Sequence, residues 1–162
     1  MFRNVLMRAA RGLRSEAAAE TDAFANKLKF NFSIPTATLY DKSPVQMVIL
    51  PGSSGVFGVL KDHVPTIAAL KPGVVAVQEV EGDSELKQFF VSGGFAYVKP
   101  DSSLDIQAVE AVPLDELDVD EVKKGLASYT NAAASASDDV EKAEAEIGLE
   151  VYQAMAAALN VA

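Results

Sequence analysis

Two hydrophobic periods divide the chain. From residue 27 to about 113, apolar and polar residues alternate in short runs; after Pro113 the apolar residues recur three and four apart. The run Lys27-Leu28-Lys29-Phe30-Asn31-Phe32 alternates with period 2, which predicts a half-buried strand with Leu28, Phe30 and Phe32 facing inward. Pro35 ends it. Residues 38–40 read as another short strand, 41–44 as a turn, and the nearly all-apolar 45–50 as a buried strand. Further strands are predicted at 56–60, 66–70, 74–80 (Val75 and Val77 inward), 85–91, 95–98 and 104–112. Short strands broken by turns every 8–12 residues or so predict a β-sandwich or flattened barrel.

Glycine and proline supply the punctuation. Gly52-Ser53-Ser54-Gly55 forms a tight turn, Lys71-Pro72-Gly73 a second, and Glu81-Gly82-Asp83-Ser84 a hairpin turn. Gly93 and Gly94 separate two aromatic-rich strands, where a bulge or close backbone approach needs residues without side chains.

The tail changes period. Asp118 with Glu121, and Asp138 with Glu141, have the spacing of capping boxes. Val119, Val122, Leu126, Tyr129 and Ala133 form one apolar stripe; Val140, Ala143, Ile147, Val151, Ala154 and Ala158 form the next. Two helices with a short connection predict an antiparallel hairpin over 117–160. Its alanine-rich stripes bury little area, so it needs a surface to dock against.

The first residues follow neither pattern. All four arginines, Arg3, Arg8, Arg11 and Arg14, fall within residues 1–14, ahead of the first acid, Glu16. On a helix they cluster opposite Phe2, Val5, Leu6, Ala9 and Leu13. An arginine-rich amphipathic start without acids fits a mitochondrial targeting peptide, with residues 16–26 as a flexible lead-in and processing between Arg11 and Ala19. A basic surface helix retained in the mature chain is the other reading. The first 26 residues are thus set apart from a sandwich at 27–113.

The motifs GVFGVLKDHVPTIAALKPGVVAV (55–77) and FFVSGGFAYV (89–98) together resemble the small rotor-subunit family of F-type ATP synthases, called delta in mitochondria and epsilon in bacteria. The resemblance covers roughly residues 27–159. It implies a ten-stranded β-sandwich followed by a two-helix hairpin. It also implies a non-catalytic place in the central stalk, locking the gamma subunit to the c-ring so that proton-driven rotation reaches the catalytic head. By motif alignment, Ser53, Ser54, Gly55 and Val56 fall where the family touches the c-ring, and His63, Pro65 and Thr66 on the side toward gamma. The implied partners are gamma, the c-ring and the small mitochondrial epsilon subunit, on the matrix side of the inner membrane, peripherally and without a cofactor. The chain departs from the bacterial pattern in one respect. Members that bind ATP or brake the enzyme carry arginines on the C-terminal helices; from Asp118 onward this chain has none.

Composition narrows the alternatives. With one histidine and no cysteine, neither a zinc site nor a thiolate nucleophile is expected. A net charge of −9 argues against nucleic acid. No apolar run approaches the roughly 20 residues that span a bilayer. Asp62-His63 invites a hydrolase reading, but no serine elbow or metal motif accompanies it. Ser53-Ser54-Gly55 lacks the Walker lysine, and the tail acids lack EF-hand spacing. A free-standing sandwich adaptor or binding module with a helical tail is the rival to the stalk reading.

The targeting segment is expected to be absent from the mature chain. Intact-mass measurement on protein isolated from mitochondria checks this; a mature N-terminus at Met1 would contradict it.

Overall fold

The computed structural model describes residues 26–82 and 85–161. The expected targeting peptide, nearly all of its lead-in, and Asp83-Ser84 of the hairpin turn lie outside the described residues.

Ten strands form one curled sheet: β1 (Leu28–Ile34), β2 (Ala37–Val45), β3 (Met47–Gly52), β4 (Gly55–Leu60), β5 (Thr66–Leu70), β6 (Gly73–Gln78), β7 (Lys87–Val91), β8 (Gly94–Val98), β9 (Ser103–Ala108) and β10 (Ala111–Pro113). The order is β10-β7-β6-β3-β5-β8-β9-β1-β2, with β4 paired to β3. Only β1 and β9 run parallel; the other pairs are antiparallel. The sheet bends at β3. Met47, Val48 and Ile49 pair with β6, and beyond Leu50 and Pro51 the pairing passes to β5 through Gly52 and Leu70. The Pro51 carbonyl accepts from the Lys71 N–H at 3.0 Å, and the Ser53 N–H donates to the Ala69 carbonyl at 2.9 Å.

Leu28, Phe30 and Phe32 are fully buried between less buried neighbours, so the period-2 reading of β1 is correct; Val75 and Val77 of β6 are fully buried as expected, with Ala76 between them buried as well. They enclose a core with Val48, Leu50, Val59, Val91, Leu104 and Ile106. The curl brings the two ends of the sheet together over that core. Phe89 of β7 meets Phe32 of β1 edge-on at 5.6 Å and Tyr40 of β2 at 6.0 Å; Phe30 lies 5.0 Å from Tyr40. Above the rings, the Tyr40 hydroxyl donates to Glu79 at 3.1 Å, and Lys87 bridges to the same carboxylate oxygen at 2.8 Å. Lys87 holds the Glu79 carboxyl below the usual range; burial, then the bond to Glu79, pushes the Tyr40 phenol up.

Two strand assignments need correction. Residues 41–44 are not a turn: β2 continues through them, Ser43 pairing with Phe30 and Pro44 with Lys29. β2 is an edge strand, where proline and charge are tolerated. The irregular register and the positive φ of Lys42 mark where it bulges. Residues 104–112 are two strands rather than one: Val109 and Glu110 carry the chain from β9 to β10, beside β7.

A single turn of 3-10 helix, Leu114–Glu116, leads to α1 (Val119–Ser135) and α2 (Asp139–Ala158). Asp118 caps α1 by accepting from the N–H groups of Asp120 and Glu121. Asp138 caps α2 through the Glu141 N–H, and Glu141 reaches back to the N–H and hydroxyl of Ser137. Asn160, at positive φ, ends α2 with the paired bonds of a Schellman motif: Val161 N–H to the Ala156 carbonyl and Asn160 N–H to that of Ala157. The stripe expected on α2 is only partly used. Val151, Ala154 and Ala158 are half-buried, but Val140 and Ile147 are about two-thirds exposed (68% and 66%). Gly148 and Tyr152 face α1 instead.

Gly93 and Gly94 differ although both have φ near +150°. A β-carbon on Gly94 would sit 2.2 Å from the Gln107 carbonyl oxygen of β9; on Gly93 the nearest atom would be 3.5 Å away. Gly93→Ala is expected to cost about 1–3 kcal/mol from backbone strain alone, and Gly94→Ala more. Urea unfolding of the two variants checks the order; equal losses would contradict it.

Candidate functional site

β4 separates the two sets of residues singled out in the sequence. Ser53, Ser54, Gly55 and Val56 form the tip of the β3–β4 hairpin, with Gly52 opposite Gly55. The four are exposed, and Val56 shows 71% of its surface. Gly55 takes a φ of +136°, which a side chain would strain. His63, Pro65 and Thr66 lie past the other end of β4, in or beside the loop to β5. A strand of this length spans about 17–20 Å, so the structure does not bring the two sets together.

The loop at 61–65 is built around one carbonyl. The Val64 oxygen accepts from His63 Nδ1 at 2.8 Å and from the Thr66 hydroxyl at 2.9 Å, while the Val64 side chain stays 69% exposed. His63 also packs against Phe57, with ring centroids 6.4 Å apart. Asp62 does not serve His63. Its carboxylate accepts from the Ser102 hydroxyl at 2.7 Å, and its N–H donates back to the same hydroxyl oxygen at 3.2 Å. Asp62 and Ser102 both adopt φ near +60°. The β8–β9 turn thus holds the β4–β5 loop in a two-way clasp. With Asp62 so engaged, an Asp–His dyad does not form. Among the described residues, no cluster of His, Asp and Glu could hold a metal ion.

Beside this loop lies a feature not singled out in the sequence. The outward sides of β5 and β8 are apolar: Ile67 is 74% exposed, and Phe95, opposite Ala69, lies beside Tyr97 with ring centroids 6.5 Å apart. Val109 at the end of β9 is 70% exposed, its N–H held by the Gly93 carbonyl at 3.0 Å. Ile67 and Ala69 on β5 beside Tyr97 and Phe95 on β8 make an outward apolar patch of the kind that protein interfaces use. The signal was available in Phe95-Ala96-Tyr97-Val98. A strand facing water on one side alternates with polar residues, and this one is apolar on both.

Comparison with known proteins decides what this arrangement belongs to. The beta-sandwich domain described as ATP synthase, Delta/Epsilon chain, matches residues 27–113. The chain belongs to the ATP synthase delta/epsilon family. It is 50% identical over 144 residues to the mitochondrial ATP synthase F(1) complex subunit delta of Dictyostelium discoideum, covering 89% of this chain and 84% of that one. It is 45% identical over 162 residues to the mitochondrial ATP synthase subunit delta of Eremothecium gossypii, covering 99% and 100%. Among solved structures, a chain of the Euglena gracilis mitochondrial ATP synthase, determined as OSCP/F1/c-ring in rotational state 1, superposes with a TM-score of 0.76. It is 30% identical and the match covers 83% of this chain and 82% of that one. The delta and epsilon subunits are non-catalytic parts of the central stalk, and this chain is one of them. No helix among the described residues is long and apolar enough to cross a membrane.

Removing the clasp is expected to loosen the loop without unfolding the sheet. In Ser102→Ala, amide exchange at Asp62 is expected to rise roughly two- to tenfold, the worth of a net hydrogen bond, with strand amides unchanged. Unaltered exchange at Asp62 would show that the clasp holds nothing.

Proposed function

We propose that this chain is the coupling piece between the gamma shaft and the c-ring of the mitochondrial ATP synthase, on the matrix side of the inner membrane. The observation that carries the reading is the apolar outer face of β5 and β8, with Ile67, Phe95 and Val109 exposed over a sheet whose inner face is already filled. That face, with His63, Val64, Pro65 and Thr66 beside it, is the gamma side. Its chemistry suits a lasting rather than a transient contact. The β3–β4 tip, Ser53 to Val56, reaches the c-ring from the far end of β4. Turning the ring then drives gamma through the sandwich, a task that calls for stiffness and apolar contact and for no acid–base group.

The small mitochondrial epsilon subunit is a further partner, and the exposed Val140 and Ile147 of α2 give it an apolar surface. The tail serves assembly rather than braking. Its only positive groups are Lys123, Lys124 and Lys142, against nine acids from Asp118 to Glu150. Such a charge balance disfavours contact with acidic surfaces of the catalytic head.

Affinity purification of the chain from mitochondria is expected to bring down gamma and the c-ring. Ile67→Glu with Phe95→Glu should lose gamma and lower proton-driven ATP synthesis, while ATP hydrolysis by the released head persists. Truncation after Leu117 should weaken assembly without raising hydrolysis per assembled enzyme. Full assembly and unchanged synthesis with both glutamates in place would refute the reading.

A further inference from the structure

Both helices of the tail carry a glycine followed four residues later by a tyrosine: Gly125 and Tyr129 on α1, Gly148 and Tyr152 on α2. Neither glycine has a positive φ, and neither caps its helix. In a helix interior glycine is unfavourable beside alanine, so each requires another physical reason. Packing supplies it. A β-carbon on Gly125 would lie 2.1 Å from the Tyr152 ring, and one on Gly148 would lie 2.2 Å from the Tyr129 ring. The two rings stack on each other, 5.2 Å between centroids at 27°. Each tyrosine therefore lies against the bare backbone of the opposite helix, and the pair interlocks crosswise.

We propose that this reciprocal glycine–tyrosine lock makes the two helices a single body that opens only as a unit. The rings touch each other as well as the facing backbones, so neither leaves its seat without disturbing the other. Few side chains of the two helices are buried. Val122 is the one buried residue of α1, and α2 buries only Ala145 and Ala156. Displacement of the tail then swings the closed hairpin about residues 114–118, where a 3-10 turn meets the cap of α1, and peels α2 from β6. The helices do not part to act as independent arms.

Amide hydrogen exchange on the full chain tests the lock, because two physical effects predict opposite signs. Helix propensity alone makes Gly125→Ala or Gly148→Ala slow exchange roughly fivefold. The lock predicts faster exchange by at least roughly fivefold, since the new methyl overpacks the seat, and predicts it in α1 and α2 together. Adding Tyr152→Ala to Gly125→Ala removes the collision, so the double variant should exchange more slowly than the product of the two single effects requires. Tyr129→Phe keeps the ring and should match the parent. Strand amides should stay protected in every variant, which shows that the sheet is intact. Slower exchange in the alanine variants, acceleration confined to one helix, or loss of strand protection would each overturn the proposal.

Discussion

A ten-stranded sheet has two ends, and everything else in this molecule depends on where they meet. β2 and β10 are the free edges of the order, yet the side chains near them close over one core. Tyr40 from one end packs against Phe30, Phe89 from the other meets Phe32 and Tyr40 edge-on, and Glu79 ties Tyr40 to Lys87. Aromatic residues suit the position because they bury large area and cross a gap that aliphatic side chains would leave open. The closure uses up the inner face of every strand. Ile67, Phe95 and Val109 stay outside the core and exposed, which is what motivates the proposed partner surface.

The same closure fixes the separation of the two proposed contact regions. The β3–β4 tip and the 61–65 loop stand at opposite ends of β4, and β3 is held on its other side by both β6 and β5. A part that passes torque from one partner to another must not bend between them. Continuous pairing from the hairpin into the body of the sheet supplies that stiffness, and the Asp62–Ser102 clasp extends it into the loop.

Where local pattern and tertiary role agree, the sequence was legible. Leu28, Phe30 and Phe32 alternate because one face is core, and the N-cap aspartates Asp118 and Asp138 stand where their spacing places them, although the Glu121 carboxylate turns to Lys124 instead of closing its capping box. The failures share a cause: the environment of a strand or helix face is not written in its own residues. Asp41 to Pro44 carry turn chemistry, but an edge strand accepts it. Val140 and Ile147 have core spacing and lie exposed, while the contact with α1 uses glycine and tyrosine. The loop residues Ser53 to Val56 and His63 to Thr66 came from family resemblance, not from their chemistry. The apolar outer face of β8 was visible as a strand without a polar side, and only pairing with β5 made it a surface.

In the proposed role, this chain turns with gamma and the c-ring as one rigid piece. The chain has no cysteine, so a cysteine introduced at Ile67 is unique in it. The most direct measurement joins Ile67→Cys to a cysteine on gamma by oxidation in coupled membranes and follows proton-driven ATP synthesis. Parts that rotate together lose nothing by being tied, so synthesis should continue at the level of the reduced enzyme. Synthesis that stops on oxidation and returns on reduction would show that the two move against each other, and would contradict the account.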